Sequence, residues 1–401
     1  MIPLKNRIEI RSKAEKAIKE KNFEEAIKSF KEGLNLDPDY YWYYLFIGDI
    51  YYFELNDPAR ALSFFERCIE LAGKNLSVDT TSPLRYLLKR LSKIYFDRRD
   101  FTKASYYYEW FMSFKPSNFH DSDFINYAKA LLESGKREKA VEALNLGKKY
   151  SKSIKLREFL SKLTGEQFDL VEFPLIKNGF ERIPVKTPII RMGDDICDIV
   201  DKWTKNIRRS DDIIIIASAV VALAEGRAQS IDVICASPLA KLLSTFVRRD
   251  DFPFGGNAPL CNPLAMQLAI KEVGLLRIIF SAIFGGILGK IFRKSGLFYR
   301  FAGQQSALID DMPGAIPPYD YYIILGPKNS NKTSLRIKER ISSDVAVVDA
   351  NDLGIAWVVG TSKESIKKEI EEALSDNPQG NGDQQTPIVI LRKKSNSKCQ
   401  Y

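Results

Sequence analysis

Up to about residue 165 the apolar positions recur every three to four residues, and beyond it they gather into short runs. The first pattern predicts amphipathic helices, because side chains three and four apart share a helix face. Within it a small residue is followed four positions later by a large one at Ala26 and Phe30, Ala61 and Phe65, Ala104 and Tyr108, and Ala140 and Leu144, at spacings of 35, 43 and 36 residues. Stacked helix pairs of about 34 residues give such a period, since each pair buries its apolar face only against its neighbours. The turns agree: NLDPDY closes the first unit, FKPSN the third, and Gly48 with Tyr51 falls in the first helix of the second. The small residue admits the partner backbone, and the large one fills the space above it.

Residues 10 to 150 therefore look like tetratricopeptide repeats, with AIKSFKEGLNLDP as the clearest match. The resemblance implies an α-helical superhelix over residues 1–165 that offers a groove to a protein or peptide partner. Tyr40, Tyr41, Trp42, Tyr43 and Tyr44, and the run Tyr106 to Trp110, either line that groove or pack between helices; packing is the commoner role for buried aromatics.

Past Gly165 the runs FERIPVKT, DDIIIIASAVVAL, YDYYIILGP, SDVAVVDA, IAWVVG and TPIVILRK read as strands, with helical stretches near 194–207, 237–248, 263–293, 332–341 and 362–375. Strands alternating with helices predict an α/β, mixed-sheet domain over residues 166–401, with the boundary near 160–172.

Five acid- and glycine-bearing turns punctuate this second half: TPIIRMGDD (187–195), SAVVALAEGR (218–227), AGQQSALIDD (302–311), VDANDLG (348–354) and GNGDQQTPIVILR (380–392). Carboxylates and flexible backbone at strand ends suit phosphate and a hard cation. Asp194 is placed to cap the next helix, and capping explains Asp194 and Asp195 more often than ligand binding does. In AEGR, Gly226 lets backbone approach a ligand while Arg227 could hold a phosphate. Gly380, Gly382 and Asp383 make either a phosphate or metal cradle or a surface loop. GPKNSNKT, residues 326–333, is no P-loop, because Asn331 stands where that motif needs its second glycine.

Composition narrows the chemistry. The 401 residues are 45% hydrophobic and 28% charged, as in ordinary globular proteins. A net charge of +9 favours anionic ligands or an anionic lipid surface, or is simply a solvated basic surface. Without a basic helix carrying interleaved aromatics, nucleic acid is not expected. The five cysteines form no CxxC pair, which argues against a disulfide framework and a structural zinc site and fits a reducing cytoplasm. His120 is the single histidine, so a metal near the five turns would be held by oxygen, which points to Mg2+ or Mn2+. No signal-peptide stretch or membrane span is expected; IIFSAIFGGILG, residues 278–289, is too short to cross and is read as a buried helix, with peripheral membrane contact as the other reading.

In their order the five turns resemble the coenzyme F-420 γ-glutamyl ligase family, which adds glutamate to the phospholactyl tail of the deazaflavin coenzyme. Its (L/T)PxIxxGDDL stretch is TPIIRMGDDI here, V(V/I)SKAEGR is VVALAEGR, NAGxDxSN is FAGQQSAL, DTxGRxxxxG is NDLGIAWVVG, and GxGGDGxPxVVVRG is GNGDQQTPIVILRK, across residues 183–393. The resemblance implies that GTP, or ATP, with divalent cations activates a small-molecule carboxylate that glutamate or another amine then attacks. By motif position it implies nucleotide contacts at Thr187, Pro188, Ile189, Ile190, Ser218, Arg227, Gly380, Gly382 and Asp383, and metal contacts at Asp352, with Asp349 and Asp310 available to rebuild a shifted site; no catalytic residue is assigned. Leu223, Gln305, Leu308 and Asn351 depart from the motifs, and a leucine cannot neutralise phosphate charge. Two functions stay open: an amide ligase, or a catalytically degenerate ligase-like domain in a repeat scaffold. Either admits a homodimer.

Overall fold

The computed structural model describes residues 3–74, 81–114, 119, 121–150, 154–165, 176–247, 259–292, 297–309, 316–350, 355–379 and 385–394. The chain divides into two compact units, Met1–Glu172 with Ile316–Tyr321, and Phe173–Ala315 with Tyr322–Tyr401. A short stretch of the second half thus belongs to the first unit. The run YDYYIILGP, expected as one strand, is divided by this boundary.

The first unit is helical: α1 (Leu4–Lys19), α2 (Phe23–Leu36), α3 (Tyr41–Asp49), α4 (Pro58–Lys74), α5 (Thr81–Asp97), α6 (Phe101–Met112), α7 (Asp121–Glu133), α8 (Arg137–Tyr150) and α9 (Ile154–Thr164). Asn22 and Asp100 cap α2 and α6 by accepting from the amides of Glu25 and Lys103. The four small–large pairs fall on α2, α4, α6 and α8, the second helix of each pair, and all eight residues are at most 1% exposed. Gly48 on α3 explains the close approach, because a Cβ there would enter the Phe65 ring of α4. Gly33 and the Tyr43 ring repeat the device between α2 and α3. Of the aromatic run, Tyr43 packs between helices, fully buried and 5.6 Å from Phe30.

The second unit holds a six-stranded mixed sheet of order β1-β2-β8-β3-β6-β7 and a separate β4-β5 pair. Its elements in chain order are β1 (Ile176–Lys177), β2 (Phe180–Val185), α10 (Ile196–Thr204), β3 (Ile213–Ala217), α11 (Ser218–Ala224), β4 (Ala228–Ser230), α12 (Pro238–Thr245), α13 (Pro263–Val273), α14 (Leu275–Phe292), α15 (Leu297–Ala302), α16 (Gln304–Ala307), β5 (Tyr322–Ile324), α17 (Ser330–Ile341), β6 (Asp344–Ala350), β7 (Ala356–Thr361), α18 (Lys367–Ala373) and β8 (Ile388–Lys393). β3 and β6 run parallel; the other ladders are antiparallel.

Strand β3 is central, and every residue from Ile213 to Ala217 is buried, as a continuous apolar run predicts for a strand covered on both faces. Ile213 and Ile215 join Phe180, Val348, Val389, Leu391 and the α18 residues Ile370 and Ala373 in one core. Helix α17 packs on β6 and β7. At the strand's rim Asp212 forms a two-toothed ion pair with Arg392, both contacts 2.9 Å. A second core gathers α12 to α16, including Leu243, Leu260, Met266, Ile278, Tyr299 and Ile323.

Four sequence expectations change. DDIIIIASAVVAL is not one strand: it turns into α11 at Ser218. The helix expected over 263–293 breaks at Gly274, whose φ of 91° only glycine adopts readily and whose amide closes α13 on Ile270. Helix α14 is not buried all round: Ile278 and Ser281 are inside, but Leu276 is 83% and Phe280 46% exposed. The cap of α10 is Asp195, which accepts from the Cys197 amide at 2.8 Å, while Asp194 closes the preceding turn on the Arg191 amide at 2.7 Å. No described helix is long and apolar enough to cross a membrane, and no disulfide links the described cysteines.

Candidate functional site

The antiparallel pairing of β2 with β8 and of β3 with β8, and the parallel pairing of β3 with β6, decide which turns meet. Val185 stands opposite Ile388, Ile216 opposite Ile388, and Ala217 opposite Val348. The end of β2, the start of β8 and the ends of β3 and β6 therefore share one edge of the sheet. In sheets with parallel strands, ligands are received beyond the carboxyl ends of those strands.

Backbone bonds tie the turns together at this edge. The Thr187 amide donates to the Gln385 carbonyl at 2.9 Å, and the Ala217 amide donates to the Pro387 carbonyl at 2.9 Å. Gln379 Nε2 donates to that same Pro387 oxygen at 3.0 Å. The Gly193 amide donates to the Ala224 carbonyl at 3.1 Å, with Gly193 at a φ of 88°. TPIIRMGDD thus meets both GNGDQQTP and AEGR, while Asp349 follows Val348, the register partner of Ala217, so it lies at the edge where Ser218 opens α11. Thr187, Ile190 and Ser218 are buried, Pro188 is exposed, and Ile189 and Asp349 are intermediate.

A second knot joins AEGR to AGQQ. Arg227 donates from Nε to the Gly326 carbonyl at 2.5 Å and from Nη2 to Glu272 at 2.6 Å and Gln305 Oε1 at 3.2 Å. Gln305 passes its own amide hydrogens to the Pro327 carbonyl at 3.0 Å, and Gln304 donates to Val359 of β7 at 3.2 Å. The Arg227 guanidinium is therefore neutralised by Glu272, and a phosphate there would have to displace that carboxylate. Glu225 reaches the start of α17, accepting from the Lys328 amide at 2.8 Å and from Thr333 at 3.4 Å. That carboxylate uses the backbone donor ahead of α17, and Asn331 is itself the acceptor for the Thr361 amide at 2.9 Å. GPKNSNKT is accordingly a helix entry packed on β7, where a Cβ on Gly360 would strike the Ser330 and Asn331 backbone.

The departures from the ligase motifs are absorbed by packing. Leu223, where the family stretch has lysine, is 0% exposed on α11, and Leu308 is 8% exposed against Gly326. Gln305 spends its amide inside the protein, as above. Asn351, Asp352, Asp310, Gly380, Gly382 and Asp383 lie outside the described residues. Among the described residues no three of histidine, cysteine, aspartate and glutamate converge on a cation site, so Asp349 is the single proposed metal contact with a described position.

Sequence reasoning missed Glu272 and Gln379, since neither sits in a turn. It also missed a polar cluster in the repeat unit, where Asp49 and Arg90 meet Asp320 and Tyr321. The signal for the last was present in IPPYDYY, whose prolines and acid interrupt a run otherwise read as a strand.

Residues 184–363 match the family model described as F420-0:Gamma-glutamyl ligase, and residues 15–40 and 43–75 match the tetratricopeptide repeat model. No curated protein matches the chain. Among solved structures the chain is similar to a MamA double mutant from RS-1 (16% identity, TM-score 0.33, covering 41% of this chain and 86% of that one). It is also similar to MamA from residue 41 to its end from Desulfovibrio magneticus RS-1 (16%, TM-score 0.33, 40% and 84%). A third likeness is to PilW, a widely conserved type IV pilus biogenesis factor (17%, TM-score 0.30, 40% and 71%). The chain thus carries tetratricopeptide repeats followed by an F420-0:gamma-glutamyl ligase domain, in that order.

Proposed function

We propose that the second unit is an amide ligase that uses a nucleotide, GTP or ATP, to join a small-molecule carboxylate to glutamate or another amine. What supports this is the tying of four of the five turns, scattered over some two hundred residues, to one another by the bonds from Thr187, Ala217, Gly193 and Arg227, with the described start of the fifth, VDANDLG, beside them through the pairing of Val348 with Ala217. Thr187 to Ile190 and Ser218 stand at the edge proposed for the nucleotide, beside residues 379 and 385 that flank the glycine loop. In the reaction an oxygen of the acceptor carboxylate bonds to the terminal phosphorus as the bridge to the diphosphate breaks, and GDP or ADP leaves. The amine then bonds to the acyl carbon, phosphate departs with the bonding pair, and the nitrogen loses a proton. The described residues alone do not make a metal site; Asp349, with Asp352 and Asp310, is the proposed holder of Mg2+ or Mn2+, which would neutralise phosphate charge there. The repeats are proposed to recruit a protein or peptide partner, and the cytoplasm is the proposed location.

A second reading rests on Leu223 and Arg227. With leucine buried at the lysine position and the arginine ion-paired to Glu272, positive charge for a developing phosphoryl group is short, and losing one such group costs on the order of a hundred-fold in rate. This supports a ligase-like domain that binds a nucleotide, or nothing, within a repeat scaffold.

The readings separate in one assay of the full-length protein with GTP or ATP, Mn2+, glutamate and the phospholactyl deazaflavin acceptor. Nucleotide consumption that requires both acceptor and glutamate, and that Asp352→Ala abolishes, is expected of the ligase. Folded protein that binds nucleotide without consuming it would leave only the second reading, and consumption indifferent to Asp352→Ala would overturn the assignment of the site.

A further inference from the structure

The repeat unit holds a buried polar cluster that repeat packing does not require. Asp49 of α3 and Arg90 of α5 sit 3.2 Å apart with side chains 7% and 5% exposed. Arg90 also pairs with Asp320, and the Tyr321 hydroxyl donates to Asp49. The Tyr321 ring stands 5.7 Å from Trp42, edge to face, and 5.5 Å from Phe46, with the Arg90 guanidinium 5.7 Å away. Arg11 of α1 completes the surround, its guanidinium 3.5 Å from the centre of the Phe46 ring.

Every one of these contacts comes from α1, α3 or α5, the first helices of successive pairs, whereas the small–large pairs that close each repeat are on the second helices. Successive first helices line one continuous face of a repeat array, the face on which such arrays hold extended peptides. The segment on it, Ile316–Tyr321, reads Ile-Pro-Pro-Tyr-Asp-Tyr and arrives from 230 residues beyond Arg90. Its prolines limit the freedom lost on docking, its tyrosine supplies a rigid aromatic anchor, and its aspartate meets the buried arginine. A buried ion pair is weak as a source of stability and better suited to selecting one partner.

We propose that the inner face of α1, α3 and α5 is a recognition site for an acidic, aromatic peptide, and that the chain's own Ile316–Tyr321 is its resident ligand, which an external peptide of the same chemistry must displace. Trp42 and Phe46 form the aromatic seat, Arg90 selects the acid, and Asp49 accepts from the tyrosine hydroxyl. A tethered segment acts at an effective concentration on the order of millimolar, so the wild-type groove resists free peptide. With the segment displaced, Asp49, 3.2 Å from Arg90, is the acid left facing that guanidinium.

The test uses the full-length protein and a fluorescein-labelled peptide of the sequence Ile-Pro-Pro-Tyr-Asp-Tyr. Fluorescence anisotropy should show at least tenfold tighter binding to the Asp320→Asn, Tyr321→Ala variant than to wild type, lost again on adding Arg90→Met, and lost for a peptide with Asn in place of Asp. Equal affinity for wild type and the emptied variant, or binding indifferent to Arg90→Met, overturns the proposal. Hydrogen exchange of the wild-type protein provides a readout that does not depend on a variant folding. Excess peptide should speed exchange of the Ile316–Tyr321 amides while that of α3 and α5 stays slow, and unchanged exchange in that segment would equally overturn the proposal.

Discussion

The two units bury their apolar residues by opposite devices. In the repeats, a residue's partners lie on the adjacent helix, and one glycine or alanine per contact makes room for one large side chain, as Gly48 does for Phe65. In the ligase-like unit the core strand β3 finds its partners at β6 and β8, more than a hundred residues on, and its turns are held by backbone bonds between distant segments. The first arrangement repeats a local solution; the second exists only once the sheet has formed. Change is therefore absorbed differently. A repeat helix can shift its neighbour's ring, whereas the edge of the sheet has backbone on both sides.

That contrast breaks first at Leu223. Leu223→Lys restores the residue type of the ligase motif but places an ammonium in a position with 0% exposure. It should cost on the order of 3 kcal/mol or more in urea unfolding without raising nucleotide affinity. Tolerance together with tighter nucleotide binding would mean that the α11 face opens toward the ligand. Next come the two glycines. Gly360→Ala would press its methyl on the Asn331 amide nitrogen, 2.6 Å away, and should cost about 2–3 kcal/mol. Gly48→Ala meets only the Phe65 ring and regains helix propensity, so its net cost should be about 1 kcal/mol or less. Equal losses by urea unfolding would erase the distinction between the units.

An effect that depends on pH belongs to Asp49. Burial pushes its carboxyl up to about 8 from an ordinary 3.8, with Asp320 and Glu54 acting in the same direction and the Arg90 and Arg11 guanidiniums opposing. A group held protonated by the fold binds more protons folded than unfolded, so its contribution is fully present below pH 3.8 and is lost as pH rises through about 8. The stability gap between wild type and Asp49→Asn should consequently move in favour of the variant by on the order of 4 kcal/mol between pH 5 and pH 8.5, about 1.4 kcal/mol for each pH unit up to about 8. A gap flat with pH would show that Asp49 is ionised throughout, as a full ion pair with Arg90.

The comparison also explains what could be read from the sequence. Helix pairs write their contacts locally, so Ala26 with Phe30 and Ala140 with Leu144 gave away both the period and the buried face. The strands were legible as apolar runs, yet nothing in DDIIIIASAVVAL marks that Ser218 starts a helix, because alanine, valine and leucine suit a buried strand and a buried helix alike. For the site, the order of the five turns pointed to the ligase motifs, but the meeting of Thr187 with Gln385 follows from strand pairing across two hundred residues. The Arg227–Glu272 pair was hidden because Glu272 lies in the last turn of α13, 45 residues from Arg227, with no motif around it. The return of Ile316–Tyr321 to the repeat unit could not be inferred from periodicity at all, since its partners are one guanidinium, one carboxyl and two rings on helices with no pattern in common with it.

The convergence of Thr187, Ser218, Asp349 and Gln385 on one edge of the sheet is tested most directly by calorimetric titration of GTP with Mn2+ into the full-length protein. A saturable isotherm is expected, weakened about tenfold, or ~1.4 kcal/mol, by Ser218→Ala and unchanged by Tyr106→Ala on the exposed surface of α6. Heat no greater than dilution with folded protein, or an isotherm that Ser218→Ala leaves untouched, would contradict it.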